Sequence, residues 1–336
     1  MTAKRNFWSV GGKLCCLCIV LVPFAFAGPV KAKGTLTILP AGTIAVSIND
    51  SGVVTGGQDS GLGFLRTPDG TITTFKVDDD PTGPQWINSS GVITGYYADK
   101  SNVVHGFVRD ADGAVTTFDA PGANGTYPSS INAQGVVTGL CICQEKYSGW
   151  VRAVNGTFTS IDVPVALATQ PRGVNDKGEI VGFWETPLNT EHGFFRSADG
   201  KITTFDPPES QLTLAEAINN KGAITGSYSK TNSAWHGYIR HPDGTFTTFD
   251  VGGIGTGAAA INDKGTVAGV FDNNKHRWKG FVRYPSGKIK LIAPPASNGG
   301  RTFVSGINKD GVVVGYFTTR PDHHTWFTNY GFIWTP

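Results

Sequence analysis

The sequence predicts an all-β fold made of many short strands separated by tight turns. Glycine accounts for 45 of the 336 residues and proline for 19, so turn signals recur along the whole chain. Hydrophobic residues make up 39% and aromatic residues 11%, which supplies a packed core, whereas only 16% of residues are charged. This composition argues against a helical bundle and against a disordered chain.

The first 27 residues have the features of a Sec-type signal peptide. Lys4, Arg5 and Lys13 precede an apolar run, Leu14 to Ala27, which ends in the small-residue cleavage signal Ala25-Phe26-Ala27. The run is shorter than the roughly 20 residues of a membrane-spanning helix. We therefore expect a secreted protein, extracellular or periplasmic, without a membrane span. Removing this segment changes the formal net charge from +2 to −1, which provides no basic domain for nucleic acid.

A repeat fills the rest of the chain. The pattern I-N-x-x-G-x-x-x-G is followed by G-F-x-R and then by D-G-x-x-T-T-F. Its asparagines are 39 to 46 residues apart, and a period near 43 is typical of repeat architectures. The seven asparagines are Asn49, Asn88, Asn132, Asn175, Asn219, Asn262 and Asn308.

Each repeat predicts four antiparallel strands. In the third repeat these are Thr126–Asn132, Gly135–Leu140, Gly149–Ala153 and Thr157–Asp162. An N-x-x-G turn joins the first two strands and a D-G turn the last two, and glycine permits the positive φ that such turns need. Four strands in about 40 to 45 residues is the size of one β-propeller blade, which buries its faces against neighbouring blades.

The two ends of the chain predict how the ring closes. The last repeat stops at Gly331–Pro336, before its fourth strand, whereas Gly34–Leu39 aligns with the fourth strand Gly70–Phe75 of the first repeat. We therefore expect 34–39 to be the outermost strand of blade seven, which removes an exposed sheet edge. The predicted domains are a signal peptide, 1–27, and one seven-bladed propeller, 34–336, with blades at about 41–76, 81–120, 124–163, 168–207, 212–250, 256–292 and 301–336.

The repeats resemble the bacterial extracellular HAF repeat, named for a His-Ala-Phe tripeptide that follows the I-N-x-x-G-x-x-x-G segment. Here the tripeptide reads His105-Gly106-Phe107, His192-Gly193-Phe194 and His236-Gly237-Tyr238. Glycine replaces the central alanine throughout, and the histidine is replaced by Leu62, Ser148, Lys279 and Tyr330 in the other repeats. The resemblance implies export and repeated β-structure, and it implies no reaction.

Residues present in nearly every repeat are predicted to serve the fold. The asparagines should form turns by bonding their own backbone. Six arginines, in the G-F-x-R segments, should pack between blades or cap carbonyls. Asp119, Asp162, Asp206 and Asp250 follow the T-T-F strand and should accept backbone donors at a turn, with a ring around the channel mouth as the alternative.

Cys141 and Cys143 are the cysteines that remain after processing. The sequence does not decide whether they are free thiols or form a local disulfide. The triplet Asp78-Asp79-Asp80 lacks the alternating frame of a calcium loop and is interpreted as a solvated connection. We predict no metal and no cofactor.

Aromatic and basic residues concentrate in the connections between the second and third strands of blades five to seven. Aromatic rings pack on the apolar faces of sugars, and cations pair with carboxylates or phosphates, so this pattern favours an anionic ligand. The alternative is that each tryptophan caps its own blade and the charges are solvated. The candidate ligand-binding residues are Trp235, His236, His276, Arg277, Trp278, Arg320, His323 and Trp326.

The favoured function is a secreted, non-catalytic binding or scaffold protein for an extracellular or envelope polysaccharide or a protein partner. No nucleophile elbow, zinc-protease helix, Walker loop or dinucleotide fingerprint occurs, and we assign no catalytic residue. The alternative is a polysaccharide lyase or hydrolase at the channel mouth, which would need a unique acid and base such as His236 with His276. A purely structural surface repeat is a third possibility, and nothing in the sequence selects an oligomeric state.

Overall fold

The computed structural model describes residues 34–230, 234–273, 278–294, 300–319 and 327–336. Within these ranges the chain forms 28 β-strands and no helix, so the predicted all-β class is confirmed. The predicted signal peptide lies outside the described residues. No helix within the described ranges is long and apolar enough to cross a membrane.

The strands fall into seven four-stranded units, and β1 (Thr35–Ala41) precedes the first unit. Unit 1 contains β2 (Thr43–Ile48), β3 (Val54–Gln58), β4 (Gly63–Arg66) and β5 (Ile72–Phe75). Unit 2 contains β6 (Thr82–Ile87), β7 (Ile93–Ala98), β8 (Val104–Arg109) and β9 (Val115–Phe118). Unit 3 contains β10 (Ala123–Ile131), β11 (Val137–Cys143), β12 (Lys146–Arg152) and β13 (Phe158–Ile161).

Unit 4 contains β14 (Ala168–Val174), β15 (Ile180–Glu185), β16 (Glu191–Arg196) and β17 (Ile202–Phe205). Unit 5 contains β18 (Leu212–Ile218), β19 (Ile224–Ser229), β20 (Trp235–Arg240) and β21 (Phe246–Phe249). Unit 6 contains β22 (Gly255–Ile261), β23 (Val267–Asp272), β24 (Trp278–Arg283) and β25 (Ile289–Ile292). Unit 7 contains β26 (Thr302–Ile307), β27 (Val313–Thr319) and β28 (Thr328–Thr335), together with β1.

The N-terminal strand β1 supplies the fourth strand of unit 7. It pairs antiparallel with β28, with Thr35 opposite Thr335 and Leu36 opposite Trp334, and the strand order is β1-β28-β27-β26. Leu39 is buried in this pairing. Both ends of the described chain therefore meet in one sheet.

Each unit buries a large side chain from its third strand, and glycines of the repeat make room for it. Phe107, which is fully buried, is one such residue. The second glycine of the motif lies beside it: a Cβ on Gly95 would meet the Pro84 Cα at 2.8 Å and the Phe107 ring at 2.9 Å. The first glycine, Gly91, has a φ of +83° in the N-x-x-G turn, a conformation that glycine adopts without strain.

The antiparallel order places the connections at two ends of the units. The turns between first and second strands and between third and fourth strands lie at one end, which we call the tight-turn face. The connections between second and third strands and between units lie at the other end, which we call the variable face. At this end the third strand of one unit touches the first strand of the next in parallel, as Tyr147 does with Ala168 and Trp235 with Gly255.

Candidate functional site

The seven repeated asparagines form a closed circuit of hydrogen bonds at the tight-turn face. Each Oδ1 accepts the N–H groups two and four residues ahead, as predicted; Asn132, for example, accepts from Gln134 and Val136 at 3.1 and 2.9 Å. The sequence did not reveal the second role, in which each Nδ2 donates to the carbonyl of the equivalent asparagine in the next unit, at 2.9 to 3.3 Å. Asn308 donates to Asn49, so the last unit bonds the first.

A cavity of about 160 Å³ opens where these asparagines meet. Acidic residues that follow the asparagines line it, but their carboxylates accept backbone N–H groups of neighbouring units. Asp176 accepts from Ala133 and Asp50 accepts from Lys309, both at 2.8 Å. These polar groups are engaged in joining units, so the cavity is a by-product of the circuit and a weak candidate for ligand binding.

The repeated arginines pack between units, as predicted. The guanidinium of Arg109 lies over the ring of Phe75 in the preceding unit at 4.9 Å, and Arg152 lies over Phe118 at 4.8 Å. Arg240 and Arg283 make the same contact. Arg109 also donates to the carbonyl of Asp110, which is the other role expected for this position.

The aspartates that follow the T-T-F strand were predicted to accept hydrogen bonds from backbone N–H groups, and this prediction was wrong about the donor. Three of them accept a hydrogen bond from a histidine of the repeat instead of from backbone. His105 Nδ1 lies 2.9 Å from Asp119, and His192 and His236 lie 2.8 Å from Asp206 and Asp250. Asp162 of unit 3, where serine replaces the histidine, accepts from Ser160 Oγ instead. These carboxylates follow the fourth strands of their units, and each of those strands pairs with the third strand of its own unit.

Each of these histidines also stacks on an aromatic side chain of the second strand. The ring pairs are Tyr97 with His105, Trp184 with His192 and Tyr228 with His236, with centroids 5.1 to 5.2 Å apart. Because Nδ1 donates to a carboxylate, the neutral imidazole keeps Nε2 as an acceptor. The repeat thus builds the same oriented imidazole three times on the variable face.

The three imidazoles differ in what Nε2 contacts. His105 Nε2 lies 3.7 Å from Asp99, and His192 Nε2 lies 3.2 Å from Thr190 Oγ1. Within the described part of the chain, His236 Nε2 has no hydrogen-bonding partner. The three histidines are thus alike in the partner of Nδ1 and differ at Nε2.

Three of the predicted binding residues are described, and they share one edge of the variable face. Trp235 and His236 are consecutive on β20, so their side chains point to opposite sides of the strand. Trp235 and Trp278 begin the third strands of units 5 and 6, opposite Ser229 and Asp272, and both are half-buried. His276, Arg277, Arg320, His323 and Trp326 lie outside the described residues.

Sequence reasoning missed a group of charged residues at units 4 and 5. Arg172 and Glu216 occupy the same bulge position of consecutive first strands, and their Nε and Oε2 atoms are 3.4 Å apart. Burial raises the pKa of Glu191, and the charges of Glu185 and Glu216 raise it further, against the effect of Arg172. A comparison of the bulge position across the units would have found this pair, because in the other units that position holds small or neutral residues.

The cysteine pair and the aspartate triplet both lie in defined local structures. Cys141 and Cys143 are joined by a disulfide, which settles the choice left open by the sequence. Asp78 and Asp79 adopt positive φ in a tight turn closed by a bridge from Val77 to Asp80. Among the described residues no group of three or more metal-ligating side chains comes together.

The structure is similar to β-propeller proteins. Virginiamycin B lyase from Staphylococcus aureus matches with a TM-score of 0.61 at 12% identity, over 90% of this chain and 100% of that one. A streptogramin B lyase matches with 0.58 at 13%, over 89% and 97%, and TolB from Acinetobacter baumannii with 0.51 at 11%, over 86% and 78%. No protein-family model and no curated protein matches the chain. At these identities the similarity shows a propeller-like all-β fold and no activity.

Proposed function

We propose that the chain is a seven-bladed β-propeller of HAF-type repeats, closed by β1, exported through residues 1–27, and acting as a secreted, non-catalytic binding or scaffold protein. The pairing of β1 with β28 and the asparagine circuit support closure. The ligand lies on the variable face of units 5 to 7. An anionic glycan is the favoured ligand, and a protein is the alternative.

The observation that carries this proposal is His236 Nε2, which has no hydrogen-bonding partner among the residues that the structure describes. Asp250 holds the imidazole so that Nε2 accepts a hydrogen bond, for which a sugar hydroxyl is a suitable donor. Trp235 precedes it, and Trp278 holds the same position in the next unit. The adjoining connections carry Lys275, Arg277 and Arg320 in the sequence, which suit the carboxylate or sulfate groups of an acidic polysaccharide.

A polysaccharide lyase or hydrolase is the second candidate, and the His236–Asp250 pair favours it. A carboxylate that orients an imidazole is the arrangement of a general base. Virginiamycin B lyase is similar over its whole length, so a fold of this kind accommodates catalysis. Against it, the same histidine–aspartate pair recurs in units 2 and 4, where Nε2 already has a partner.

The test is retention of the purified mature protein on immobilised neutral and acidic polysaccharides. We expect retention on an acidic polymer, weakening with salt, and loss of retention in the Trp235→Ala/Trp278→Ala variant. His236→Gln should also lose retention, whereas the matched His192→Gln variant should keep it. Assaying the retained polymer for cleavage separates binding protein from enzyme. Absence of retention on every polymer would overturn the glycan proposal and leave a protein ligand.

A further inference from the structure

A second surface on the variable face exposes apolar side chains of units 3 and 4. Val165 and Leu188 are 83% and 85% exposed, and Tyr147 and Leu167 are each 48% exposed. Scattered exposed apolar residues need no explanation, but a contiguous group marks a contact surface. Whether these four are contiguous therefore decides what they mean.

Backbone contacts bring together the segments that carry the four residues. Tyr147 pairs with Ala168, which puts Leu167 next to it, and the Leu167 N–H donates to the Glu185 carbonyl at 2.8 Å. Leu188 lies in the turn that joins Glu185 to the next strand. Val165 is two residues before Leu167 in the connection between units 3 and 4. The four residues therefore lie on adjoining segments at one end of units 3 and 4, and we call this group the apolar patch.

Aromatic side chains extend the apolar patch toward unit 2. The rings of Tyr96 and Tyr127 are 5.7 Å apart in an edge-to-face arrangement. Tyr147 lies near Tyr127: burial raises the pKa of the Tyr127 hydroxyl, and Tyr147 adds to the effect. The surface is therefore an elongated strip across three units, longer than a small ligand requires.

Carboxylates border this strip. Glu185 and Glu191 are directly opposite on β15 and β16, a like-charge pair that costs stability. Glu216 lies close enough to act on Glu191, with Arg172 as its counter-ion. Glu145 and Asp162 lie on the neighbouring connections of unit 3, where Lys146 is the second cation. Five carboxylates against two cations give the strip an acidic rim.

We propose that the apolar patch binds a segment of a partner protein in which lysine or arginine alternates with apolar side chains. The apolar side chains of the segment cover Tyr147, Val165, Leu167 and Leu188, and its cations neutralise Glu185 and Glu191. An anionic or purely polar ligand gains neither contact. This site is distinct from the glycan site of units 5 to 7 and does not depend on it.

The conformation of Val165 provides a discriminating variant. Its φ is +64°, in the left-handed region that β-branched residues rarely adopt, whereas Gly122 holds the equivalent place between units 2 and 3 at +72°. Val165→Gly removes apolar surface from the patch and relaxes the backbone at the same time. Weaker binding by a protein that melts no lower than the wild type cannot be attributed to unfolding.

The experiment titrates the mature protein with three labelled twelve-residue peptides, of alternating Leu and Lys, Leu and Glu, and Ser and Lys. We expect the Leu/Lys peptide to bind at least tenfold more tightly than the other two. Val165→Gly/Leu188→Ser and Glu185→Gln/Glu191→Gln should each lose at least tenfold. Val154→Ser is the matched control, because Val154 is 71% exposed on the tight-turn face.

Any of three results would overturn the proposal. These are equal affinity for the three peptides, no binding of any peptide, and undiminished binding by both patch variants. Polysaccharide retention should be unchanged in the patch variants. Loss of peptide binding with normal retention, or the reverse, shows which of the two sites has failed. The two proposals can therefore be judged separately.

Discussion

At the scale of single residues, the buried amide of each repeated asparagine stabilises both a turn within its unit and the contact with the next unit. Asn132 is 4% exposed, accepts two backbone N–H groups within its own turn and donates to the Asn175 carbonyl. The two accepted bonds fix the N-x-x-G turn, and the donated bond holds the next unit. Both halves of the amide are therefore needed, which explains why asparagine and not aspartate recurs.

We expect Asn132→Ala to lower the free energy of unfolding by about 3 kcal/mol, roughly 1 kcal/mol for each hydrogen bond lost. Asn132→Asp keeps the acceptor but aims a second oxygen at the Asn175 carbonyl. It should cost more than alanine at pH 7 and recover when acid protonates it. Urea unfolding of the two variants measures both effects, and an aspartate variant as stable as the wild type would contradict the donated bond.

Glu191 gives a pH dependence whose sign follows from its surroundings. Its pKa is raised from the ordinary value of 4.5, first by burial and then by Glu185 and Glu216. The folded protein thus holds this proton more tightly than the unfolded chain, so its contribution to stability is greatest below about pH 4.5 and is lost as the pH rises.

Glu191→Gln should therefore be more stable than the wild type at pH 7.5, and this advantage should disappear near pH 4. Unfolding midpoints in urea at the two pH values test the difference. Glu145→Gln, which removes an exposed carboxylate from the same face, serves as the control and should change little at either pH. A Glu191→Gln variant that is destabilised at pH 7.5 would show that the carboxylate is needed by the fold.

At the scale of elements, β1 is the strand whose loss should matter most, because it has no sequence neighbour in its sheet. It covers the edge of β28 and inserts Leu39, which is 3% exposed. Deleting 34–39 from the mature protein should lower the melting temperature sharply and cause self-association, since an uncovered edge pairs with other chains.

Two point variants in β1 make this prediction more specific. Leu39→Ala should cost about 2 to 4 kcal/mol as a buried leucine, whereas Ile38→Ala should cost little, because Ile38 is 43% exposed. A synthetic peptide of residues 34–41 should restore the melting temperature of the deletion variant. An unchanged melt after deletion would count against any structural role for the strand.

The turns and strands of a unit could be predicted where the residues that specify them are close together in the sequence. The N-x-x-G and D-G turns lie within four residues, and β1 follows from aligning the two chain ends. The repeat also indicated that its arginines pack between units. It did not reveal that Asn132 bonds Asn175 or that Arg172 pairs with Glu216, because these partners are 43 and 44 residues apart. The histidine–aspartate pairs had a readable signal, a constant spacing of 14 residues in three repeats, whose meaning depends on strand register.

At the scale of the whole molecule, the variable face divides into two sectors of different chemistry. Units 5 to 7 carry most of the basic connections, whereas units 2 to 4 carry exposed aliphatic side chains and most of the carboxylates. A repeat that is nearly uniform at the tight-turn face has therefore diverged at the other. Because the sectors differ in charge, the two proposed sites would take an anionic and a cationic ligand without direct competition.

The proposed closure of the units into one ring makes a prediction about connectivity. Thr35 lies opposite Thr335, so a short glycine–serine linker can join the two ends. New ends can then be opened between Gly252 and Gly253, in the connection between units 5 and 6. If β1 and the bond from Asn308 to Asn49 close the ring, every unit has a neighbour on both sides. The chain can then be opened at any connection between units without loss of an interface.

We expect this permuted protein to keep the far-UV circular dichroism of the mature chain and to melt within about 5 °C of it, a difference of about 3 kcal/mol in a protein of this size. Deleting one complete repeat, residues 213–255, should instead abolish the cooperative transition, because six units curved for a ring of seven leave one interface open. An open array responds in the opposite way: it tolerates loss of an internal repeat but not the relocation of its ends. A folded deletion variant beside an unfolded permutant would therefore show that the units form an open array.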